Sequence, residues 1–486
     1  MSALSRLRNL LRRRRIAREI DEELESHLAE AIENGRDPEE ARRALGSQLR
    51  LREESLDAKL ATGLESWVSD LVFGWRQIKK HRATSAAATL SLALALGACG
   101  ATFQIVDALL LRPLPVAEPD QLFAVEYHGH IPDWLSVWRE NPYPTFRTLR
   151  DAVDDEAQLV ASSRTRSREL RFDTADALET AHVQYVSGGF FPMLGLDAQL
   201  GRVLGASDDV TPGGHPVAVV SQAYWEQRFG SDPDLRSRTF NMAGTLFEIV
   251  GVVRGPFTGI EPGVPTDIFV PTMMARNVED PDQSGFRILG RWREGHVREA
   301  ATRDRLESLW RTLEHERWTR LQGAPPEWID RYVSTTRVHL KSAAGGFSTP
   351  QETYAPALGI LAGLAALLFL IACANVSNVL LGLATQRSRE LALRVAIGAG
   401  RFRVIRLLVA EAWWLGILAA GLGVALSGWL ARWTLKLLRA ADLPLRLDLT
   451  VDARTLLFFT VAALATSLLC GLGPALHSSA VSFASG

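Results

Sequence analysis

The chain has 486 residues, with 54 basic and 55 acidic side chains, a net charge of −1 and a mean hydropathy of +0.03. It is too long for one typical domain, too weakly charged to be disordered, and without the basic excess of a nucleic-acid-binding protein. A mean hydropathy near zero also suits an ordinary soluble protein. Because this value averages very different regions, the distribution along the chain decides the class of protein.

Residues 1–82 predict a small all-α cytoplasmic prefix. Apolar residues recur at every fourth position over residues 16–32, which places one apolar stripe along a charged helix. A second helix restarts at Asp37, which is placed as an N-cap. A third stripe, over residues 60–78, carries two tryptophans and suits a helix on the membrane surface. The alternative is a small bundle in which these stripes pack against each other.

Four long apolar stretches follow the prefix. The predicted spans are residues 83–111, 354–385, 407–430 and 456–476. Each has roughly 20 residues or more, enough for a helix to cross about 30 Å of hydrocarbon. Buried helices of a soluble core are the alternative, but they are usually shorter. Glu411 is the one charge in the third stretch, and we expect it near the headgroups.

The region between the first two spans, residues 112–353, carries 34 acidic and 26 basic side chains, a net charge of −8. It is long enough for two subdomains, and its mixture of short strands and helices predicts an α+β domain. The apolar side of the last helix is expected to carry Ala301, Leu306, Leu309, Trp310 and Leu313. The predicted strands are 216–220, 238–242, 246–253, 267–271 and 287–292, and the predicted helices are 222–229 and 297–321.

Motifs of catalysis, metal binding or cofactor binding are absent from the sequence. There is no His-Glu-x-x-His or Gly-x-Ser-x-Gly motif, and none of the five lysines follows a glycine, as a P-loop requires. The chain is therefore not expected to be an enzyme or to hold a metal or cofactor. All three cysteines fall in predicted spans and are interpreted as packing residues.

Three smaller features have plain structural interpretations. His128 and His130 are interpreted as residues of an exposed loop rather than as a metal pair. Asp208-Asp209 is interpreted as a pair of solvated loop charges. Phe347, which follows two glycines before the second span, is interpreted as part of a linker, with a hinge as the alternative.

Basic clusters next to the spans predict the orientation, since cytoplasmic loops carry an excess of Lys and Arg. Lys79, Lys80 and Arg82 precede the first span, and residues 385–406 carry six arginines against one glutamate. The short loop after the third span has a small basic excess and disagrees mildly. Both termini are therefore predicted to be cytoplasmic and residues 112–353 to be extracytoplasmic.

The loop after the second span predicts a helix from about residue 387, a break at 398–400, and a helix that rises into the third span. A basic, partly apolar helix on the cytoplasmic surface can dock in the groove of a partner. The alternative is the ordinary basic bias of cytoplasmic loops. Glu390 and Arg394 are four residues apart and can pair. The candidate docking residues are Arg387, Arg389, Glu390, Arg394, Gly398, Gly400, Arg401 and Arg403.

This segment, together with Cys373-Ala374-Asn375-Val376-Ser377-Asn378 before it, resembles the FtsX-like permease domain of MacB-type ABC transporters. The resemblance extends over residues 70–480. The prefix resembles that of a duplicated acidobacterial-type permease, of which this chain corresponds to the first half. Further motifs follow in the order of the family at residues 109–115, 186–195, 201–202, 217–230, 251–253, 267–271 and 471–476.

The resemblance implies a membrane protein of the bacterial inner membrane with a MacB-like periplasmic core domain at 112–353 and an FtsX-like permease domain at 354–480. It implies a permease subunit that couples ATP hydrolysis by a separate cytoplasmic ATPase to motion of the external domain, for efflux or for lipoprotein or peptide export. The ATPase would bind at 387–397. A homodimer or second permease half, a periplasmic adaptor and an outer-membrane channel are further implied partners.

Two other functions stay open on the sequence. One is an FtsX-like regulator of cell-wall hydrolases, which would use the same mechanics, and the other is a membrane-anchored sensor without an ATPase. The first of these also predicts an ATPase on residues 387–403, whereas the sensor predicts none. Because the sequence stops at Gly486, shortly after the fourth span, a partner half or self-association is expected.

Overall fold

A computed structural model describes residues 62–131, 134–172, 178–235, 238–293, 299–321, 325–347, 349–386, 401–440, 449 and 451–481. The first two predicted helices of the prefix lie outside the described residues. The chain divides into two compact units. The first contains Met1–Gly100, Leu364–Gly428 and Val451–Gly486, and the second contains Ala101–Gly363 and Trp429–Thr450. Residues 112–347 of the second unit are called the interspan domain below.

The described residues form helices and short strands, and each element is numbered here in chain order. The α-helices are α1 (Thr62–Lys80), α2 (Arg82–Val106), α3 (Tyr143–Val153), α4 (Phe190–Leu194), α5 (Gln222–Phe229), α6 (Glu299–Leu321), α7 (Pro326–Thr335), α8 (Thr349–Gln386), α9 (Arg401–Ala440) and α10 (Ala453–Val481). The strands are β1 (Leu122–Ile131), β2 (Trp134–Trp138), β3 (Glu140–Asn141), β4 (Ala157–Ser162), β5 (Arg166–Phe172), β6 (Glu179–Val186), β7 (Ala198–Gly201), β8 (Val217–Val220), β9 (Thr239–Met242), β10 (Thr245–Val253), β11 (Ile268–Pro271), β12 (Phe286–Trp292) and β13 (Arg337–Ser342).

Four of the described helical segments are long and apolar enough to cross a membrane, and they fall on the four apolar stretches of the sequence. α9 is longer than predicted, since it is continuous over 40 residues, or about 60 Å at 1.5 Å per residue. Large apolar side chains of α8, among them Ile360 and Leu367, are exposed, as expected of a surface that lipid covers. The apolar segments are Arg82–Leu111, Ala355–Gln386, Val409–Lys436 and Ala453–Gly471.

Small side chains let the helices of the first unit approach closely. Gly100 of α2 faces Phe459 of α10, and a Cβ at Gly100 would lie under 3.0 Å from the Phe459 ring. Small residues at helix–helix contacts are typical of membrane proteins, because association there depends on close packing and not on the expulsion of water. Cys373 and Cys470 are buried in this core, and all three cysteines are free thiols. Their interpretation as packing residues is therefore consistent with the structure.

The helix predicted on the membrane surface, α1, packs against the third span. The rings of Trp75 and Trp414 lie 5.1 Å apart, and the Trp414 indole N–H donates to the carbonyl of Leu71 at 2.9 Å. A Cβ at Gly74 would meet the carbonyl oxygen of Ala410 at 3.0 Å, so the two helices are in backbone contact. Glu411, the next residue, is only 5% exposed within this unit rather than open to the headgroups.

Six strands of the interspan domain close into a barrel. Their order is β11-β8-β10-β9-β5-β6, and β6 pairs in parallel with β11 to complete the ring. β8 and β10 are also parallel, whereas the remaining pairs are antiparallel. Phe240 and Phe247 stack at 5.4 Å among the buried residues of this barrel. Closure pairs each of these strands on both sides, so none is left as an edge.

The strands continue beyond the barrel as the sheet β4-β12-β1-β13, which helices cover. β4 joins β6 through the pair Ser162 and Val186. α3, α6 and α7 pack on this sheet around a core that contains Tyr127 and Trp310, whose rings stack at 4.7 Å. A barrel that continues into a helix-covered sheet confirms the predicted α+β class, and a single sheet runs through both parts.

Most of the strands and helices predicted between the first two spans are confirmed, but one face is corrected. Ala301 was placed on the apolar side of α6 and is exposed. Thr302 and Glu314 are buried on that helix instead, beside Leu306 and Trp310. The Thr302 hydroxyl donates to a carboxylate oxygen of Glu156, so a polar residue is tolerated there because it has a partner. Apolar periodicity alone does not reveal such partners.

The contact of Gly100 with Phe459 predicts that Gly100→Ala lowers the stability of the first unit. The added methyl overpacks the interface, which typically costs about 1–3 kcal/mol. The apparent Tm of the solubilised protein, followed by circular dichroism, measures this loss. Gly421→Ala in α9 is the control, because a Cβ there meets nothing within 4 Å. Equal melting temperatures of the two variants would contradict the packing.

Candidate functional site

The docking segment predicted from sequence is described only at its end. Residues 387–400, which include the pair Glu390 and Arg394, lie outside the described residues. Arg401 and Arg403 fall in the first turn of α9. The docking residues therefore stay a prediction, but the structure describes the two long helices that they connect. α8 ends at Gln386, directly before the segment, and α9 begins at Arg401, within its last residues.

At the other end of α8 the chain enters it through residues 343–347, called the strap here. Backbone hydrogen bonds tie the strap to three parts of the interspan domain. Ala343 N–H donates to Leu122 O at 2.9 Å, and Phe347 N–H donates to Ile260 O at 2.8 Å. Leu114 N–H donates to Ala344 O at 2.7 Å, so the strap also holds the chain that leaves the first span. The start of α8 is thus anchored to the folded domain by its own backbone.

Gly346 lets the strap turn into this position. Its φ is +89°, a conformation that side chains disfavour, and a Cβ there would lie under 3.0 Å from Ile260 O. Its N–H donates to Ala343 O at 2.8 Å and closes a tight turn. Both the backbone angle and the close approach therefore require glycine at this position.

The side chain of Phe347 is fully buried against a charged group. The guanidinium carbon of Arg287 lies 4.3 Å from the centre of the Phe347 ring, within the range of a cation–π contact. Arg287 is itself buried, forms an ion pair with Glu261, and donates to Ser163 O at 3.1 Å. Burial lowers the pKa of Arg287, and the charge of Glu261 opposes this. A buried charge of this kind is tolerated only with such partners.

The interpretation of Phe347 as part of a plain linker is therefore wrong. Phe347 is 0% exposed and belongs to the core that contains Phe257, Phe269 and Leu289. The sequence offered one signal, a large aromatic residue directly after two glycines, where a free linker would need none. Its partner Arg287 lies 60 positions earlier in a strand, and no local pattern marks it as buried.

The interpretation of Asp208 and Asp209 as solvated loop charges is also wrong. Asp208 is buried, pairs with Arg202 at 2.5 Å and accepts from Gly205 N–H at 2.9 Å. Burial raises the pKa of Asp208, but these hydrogen bonds outweigh it and hold the pKa below its usual range. Asp209 accepts hydrogen bonds from Tyr143, Gly188, Thr272 and Met273. Both carboxylates are structural, since Asp208 holds the turn between Arg202 and Asp208 and Asp209 joins separate segments of the domain.

His128 is not in a loop either, but in strand β1. Its ring lies 4.2 Å from that of His339 in the neighbouring strand β13, and its Nε2 lies 3.3 Å from a carboxylate oxygen of Glu126. Glu126 is buried and bound by Arg139 at 2.6 Å. Burial and the neighbouring His128 lower the pKa of His339. Across the described residues, no group of three or more His, Cys, Asp or Glu could hold a metal ion.

Comparison with protein families identifies the class. Residues 85–309 match the MacB-like periplasmic core domain, and residues 362–483 match the FtsX-like permease C-terminal domain. The two matches follow in the order that the resemblance implied and together cover more than half of the chain. The chain belongs to the MacB/FtsX-like permeases, the membrane subunits of ABC transporters. No curated protein matches it.

Solved structures show distant similarity over the same region. The periplasmic region of MacB from Actinobacillus actinomycetemcomitans is 14% identical, covers 49% of this chain and 93% of its own, and has a TM-score of 0.32. The extracellular domain of the ABC-type transporter YknZ from Gram-positive bacteria is 16% identical. It covers 44% of this chain and 99% of its own, with a TM-score of 0.31.

The close approach at the strap predicts that Gly346→Ala destabilises the protein more than Gly255→Ala. Both glycines have a left-handed φ, +89° and +85°, so alanine costs about 1–2 kcal/mol of backbone strain at each. A Cβ meets Ile260 O at Gly346 and nothing within 4 Å at Gly255, which adds about 1–3 kcal/mol at Gly346 alone. The difference in apparent Tm between the variants measures this added cost, and no difference would refute the packed strap.

Proposed function

We propose that this chain is the permease subunit of a MacB/FtsX-type ABC transporter that passes the motion of a cytoplasmic ATPase to the interspan domain. The observation that carries the proposal is the continuity of α8. This helix runs without interruption over 38 residues, from Thr349 beside the strap to Gln386 beside the predicted docking segment. At 1.5 Å per residue it is about 57 Å long, more than the thickness of a bilayer core.

A continuous helix transmits displacement only when both of its ends are held. At its first end the strap supplies three backbone hydrogen bonds to the interspan domain and buries Phe347 on Arg287. A flexible linker at this position would absorb the movement of the helix instead. At its second end, an ATPase bound to residues 387–397 would move Gln386 directly. The strap therefore supports transmission of motion through α8 rather than passage of a substrate along it.

The proposed assembly follows from this arrangement. Two copies of the chain, or this chain and a second permease half, would face an ATPase dimer in the cytoplasm of a bacterial inner membrane. The interspan domain would lie in the periplasm and act with an adaptor and an outer-membrane channel in efflux or in lipoprotein or peptide export. The basic residues at 79–82 and 385–406 support this orientation, because they concentrate on the side proposed to be cytoplasmic.

The orientation predicts opposite labelling of two introduced cysteines. Leu246→Cys, at an exposed position of strand β10 in the barrel, should react with a membrane-impermeant maleimide added to intact spheroplasts. Thr385→Cys, exposed at the far end of α8, should react only after the membrane is permeabilised. Leu246 is 56% exposed, so a thiol there is accessible.

Wild-type protein is the control for this experiment, because its three cysteines lie in spans and set the background of labelling. The fraction labelled is read by gel shift. Labelling of Thr385→Cys before permeabilisation, with protection of Leu246→Cys, would reverse the proposed orientation.

Coupling to an ATPase predicts that the chain retains a candidate ABC ATPase subunit during co-purification. The double variant Glu390→Ala/Arg394→Glu should lose most of this ATPase, because it removes a carboxylate and reverses a charge on the predicted docking helix. The ratio of ATPase to permease, measured by quantitative immunoblot, should fall at least about tenfold, equivalent to about 1.4 kcal/mol.

Arg303→Glu is the matched control, since it reverses an exposed arginine of the interspan domain far along the chain from the docking segment. It should retain the ATPase at the wild-type ratio. Wild-type protein that never retains any ABC ATPase would overturn the proposal and favour a membrane-anchored sensor.

A further inference from the structure

A second feature of the interspan domain is a cleft of about 820 Å³. It opens where the barrel meets the helix-covered sheet, since Met242 and Phe247 belong to the barrel core and Met273 and Val278 to the other core. Its size falls within the range of sites for small organic molecules. None of the strap or docking residues lines it, although Ser163, which accepts a hydrogen bond from Arg287, does.

One wall of the cleft carries a row of arginines. Arg164, Arg166 and Arg168 alternate with Thr165 and Ser167 along β5 and the residues just before it. Side chains of an extended segment alternate between two faces, and the cleft is lined by the three arginines but not by Thr165 or Ser167. The alternation is present in the sequence, but exposed arginines on a strand are ordinary surface residues until the fold places them beside a cleft.

The charge of the cleft is opposite to that of its surroundings. Residues 112–353 have a net charge of −8, yet arginines outnumber glutamates by two among the residues that line the cleft. Arg164 is paired with Glu140. Among the described residues, no carboxylate forms an ion pair with Arg166, Arg168 or Arg276. The charged lining residues are Glu140, Arg164, Arg166, Arg168, Arg276 and Glu279.

Another part of the lining, called the methionine wall here, is apolar and adaptable. Met242, Met273 and Met274 line it, and these are three of the five methionines in the chain. Methionine is unbranched and polarizable, so a surface rich in methionine fits apolar groups of different shape. Phe247 and Val278 extend this wall. Tyr185 also lines the cleft, and burial raises its pKa, so its hydroxyl is protonated and can donate a hydrogen bond.

We propose that the cleft binds an anionic amphiphile, a molecule with a phosphate or carboxylate group and one apolar chain. The anionic group would lie against Arg166 and Arg168, where charge-assisted hydrogen bonds are strong, and the chain would lie on the methionine wall. A purely basic site would match only the anionic group of such a molecule, and a purely apolar site would match only its chain. Binding requires no ATPase, so this proposal stands or fails separately from the proposed function.

The test is calorimetric titration of octyl phosphate into the full chain held in phosphatidylcholine nanodiscs, with the heat of empty nanodiscs subtracted. Octyl glucoside supplies the same chain without the charge, and inorganic phosphate supplies the charge without the chain. We expect octyl phosphate to bind at least about tenfold more tightly than either, because only it uses both walls. Equal binding of octyl glucoside, equal binding of inorganic phosphate, or no binding of octyl phosphate would each overturn the proposal.

Two variants assign the binding to the cleft. Arg166→Gln/Arg168→Gln should weaken octyl phosphate at least about tenfold, because it removes two unpaired cations that are exposed and not needed for the core. Arg254→Gln/Arg331→Gln makes the same charge change at exposed arginines outside the cleft and should leave the affinity unchanged. Equal weakening by both pairs would refute a specific site.

Met274→Gln tests the methionine wall, and it should weaken the binding of octyl phosphate while leaving the binding of inorganic phosphate unaffected.

Nanodiscs that contain phosphatidylglycerol then distinguish bilayer lipid from a free amphiphile as the source of the ligand. Competition by this lipid assigns the cleft to bilayer lipid, and unchanged affinity assigns it to a free amphiphile. Both results of the competition support the proposal, provided that Arg166→Gln/Arg168→Gln weakens the binding of octyl phosphate. An unchanged affinity of Met274→Gln for octyl phosphate would contradict the role of the methionine wall.

Discussion

The buried contact among Arg287, Glu261 and Phe347 is the interaction on which the arrangement of the interspan domain depends. Removing one partner from a buried ion pair typically costs about 3–5 kcal/mol, because a charge is then left uncompensated. Here the pair also supplies the surface on which the entry to α8 rests. Nε and Nη1 of Arg287 have no hydrogen-bond partner among the described residues, so the ion pair, the Ser163 carbonyl and the Phe347 ring carry the compensation. The stability of the domain and its connection to the second span are thus linked in one contact.

The strap is bonded to the barrel through the loop between β10 and β11. Ile260 accepts the hydrogen bond of Phe347 and lies in the loop that leads from β10 to β11, the strand that closes the barrel on β6. Leu114, just after the first span, donates to the same strap. The polypeptide that leaves the first span and the polypeptide that enters the second are therefore held to one folded body. This explains why the proposed movement of α8 would reach the whole domain and not only its nearest loop.

Several features could be predicted from the sequence because each depends on residues close together in the chain. The four spans follow from uninterrupted apolar stretches, and the hairpin of β9 and β10 follows from a turn at Ala243-Gly244 between two alternating runs. The family followed from several short motifs in a fixed order. Ala301 was misplaced because helical periodicity cannot reveal that Thr302 has a carboxylate partner in another segment. Asp209 escapes sequence-based prediction for the same reason, since its donors Tyr143, Thr272 and Met273 come from segments distant in sequence.

The sequence by itself determined that this is a membrane protein with four apolar helices and one large acidic domain, because lipid and water select composition locally. Only the tertiary structure decided that Phe347 is an anchor and not a linker, that six strands close into a barrel, and that three arginines and three methionines line one cleft. Each of these depends on residues that are far apart in the chain and meet only after folding. A buried charge or an anion-binding surface is defined by those neighbours, and no local pattern of residues encodes them.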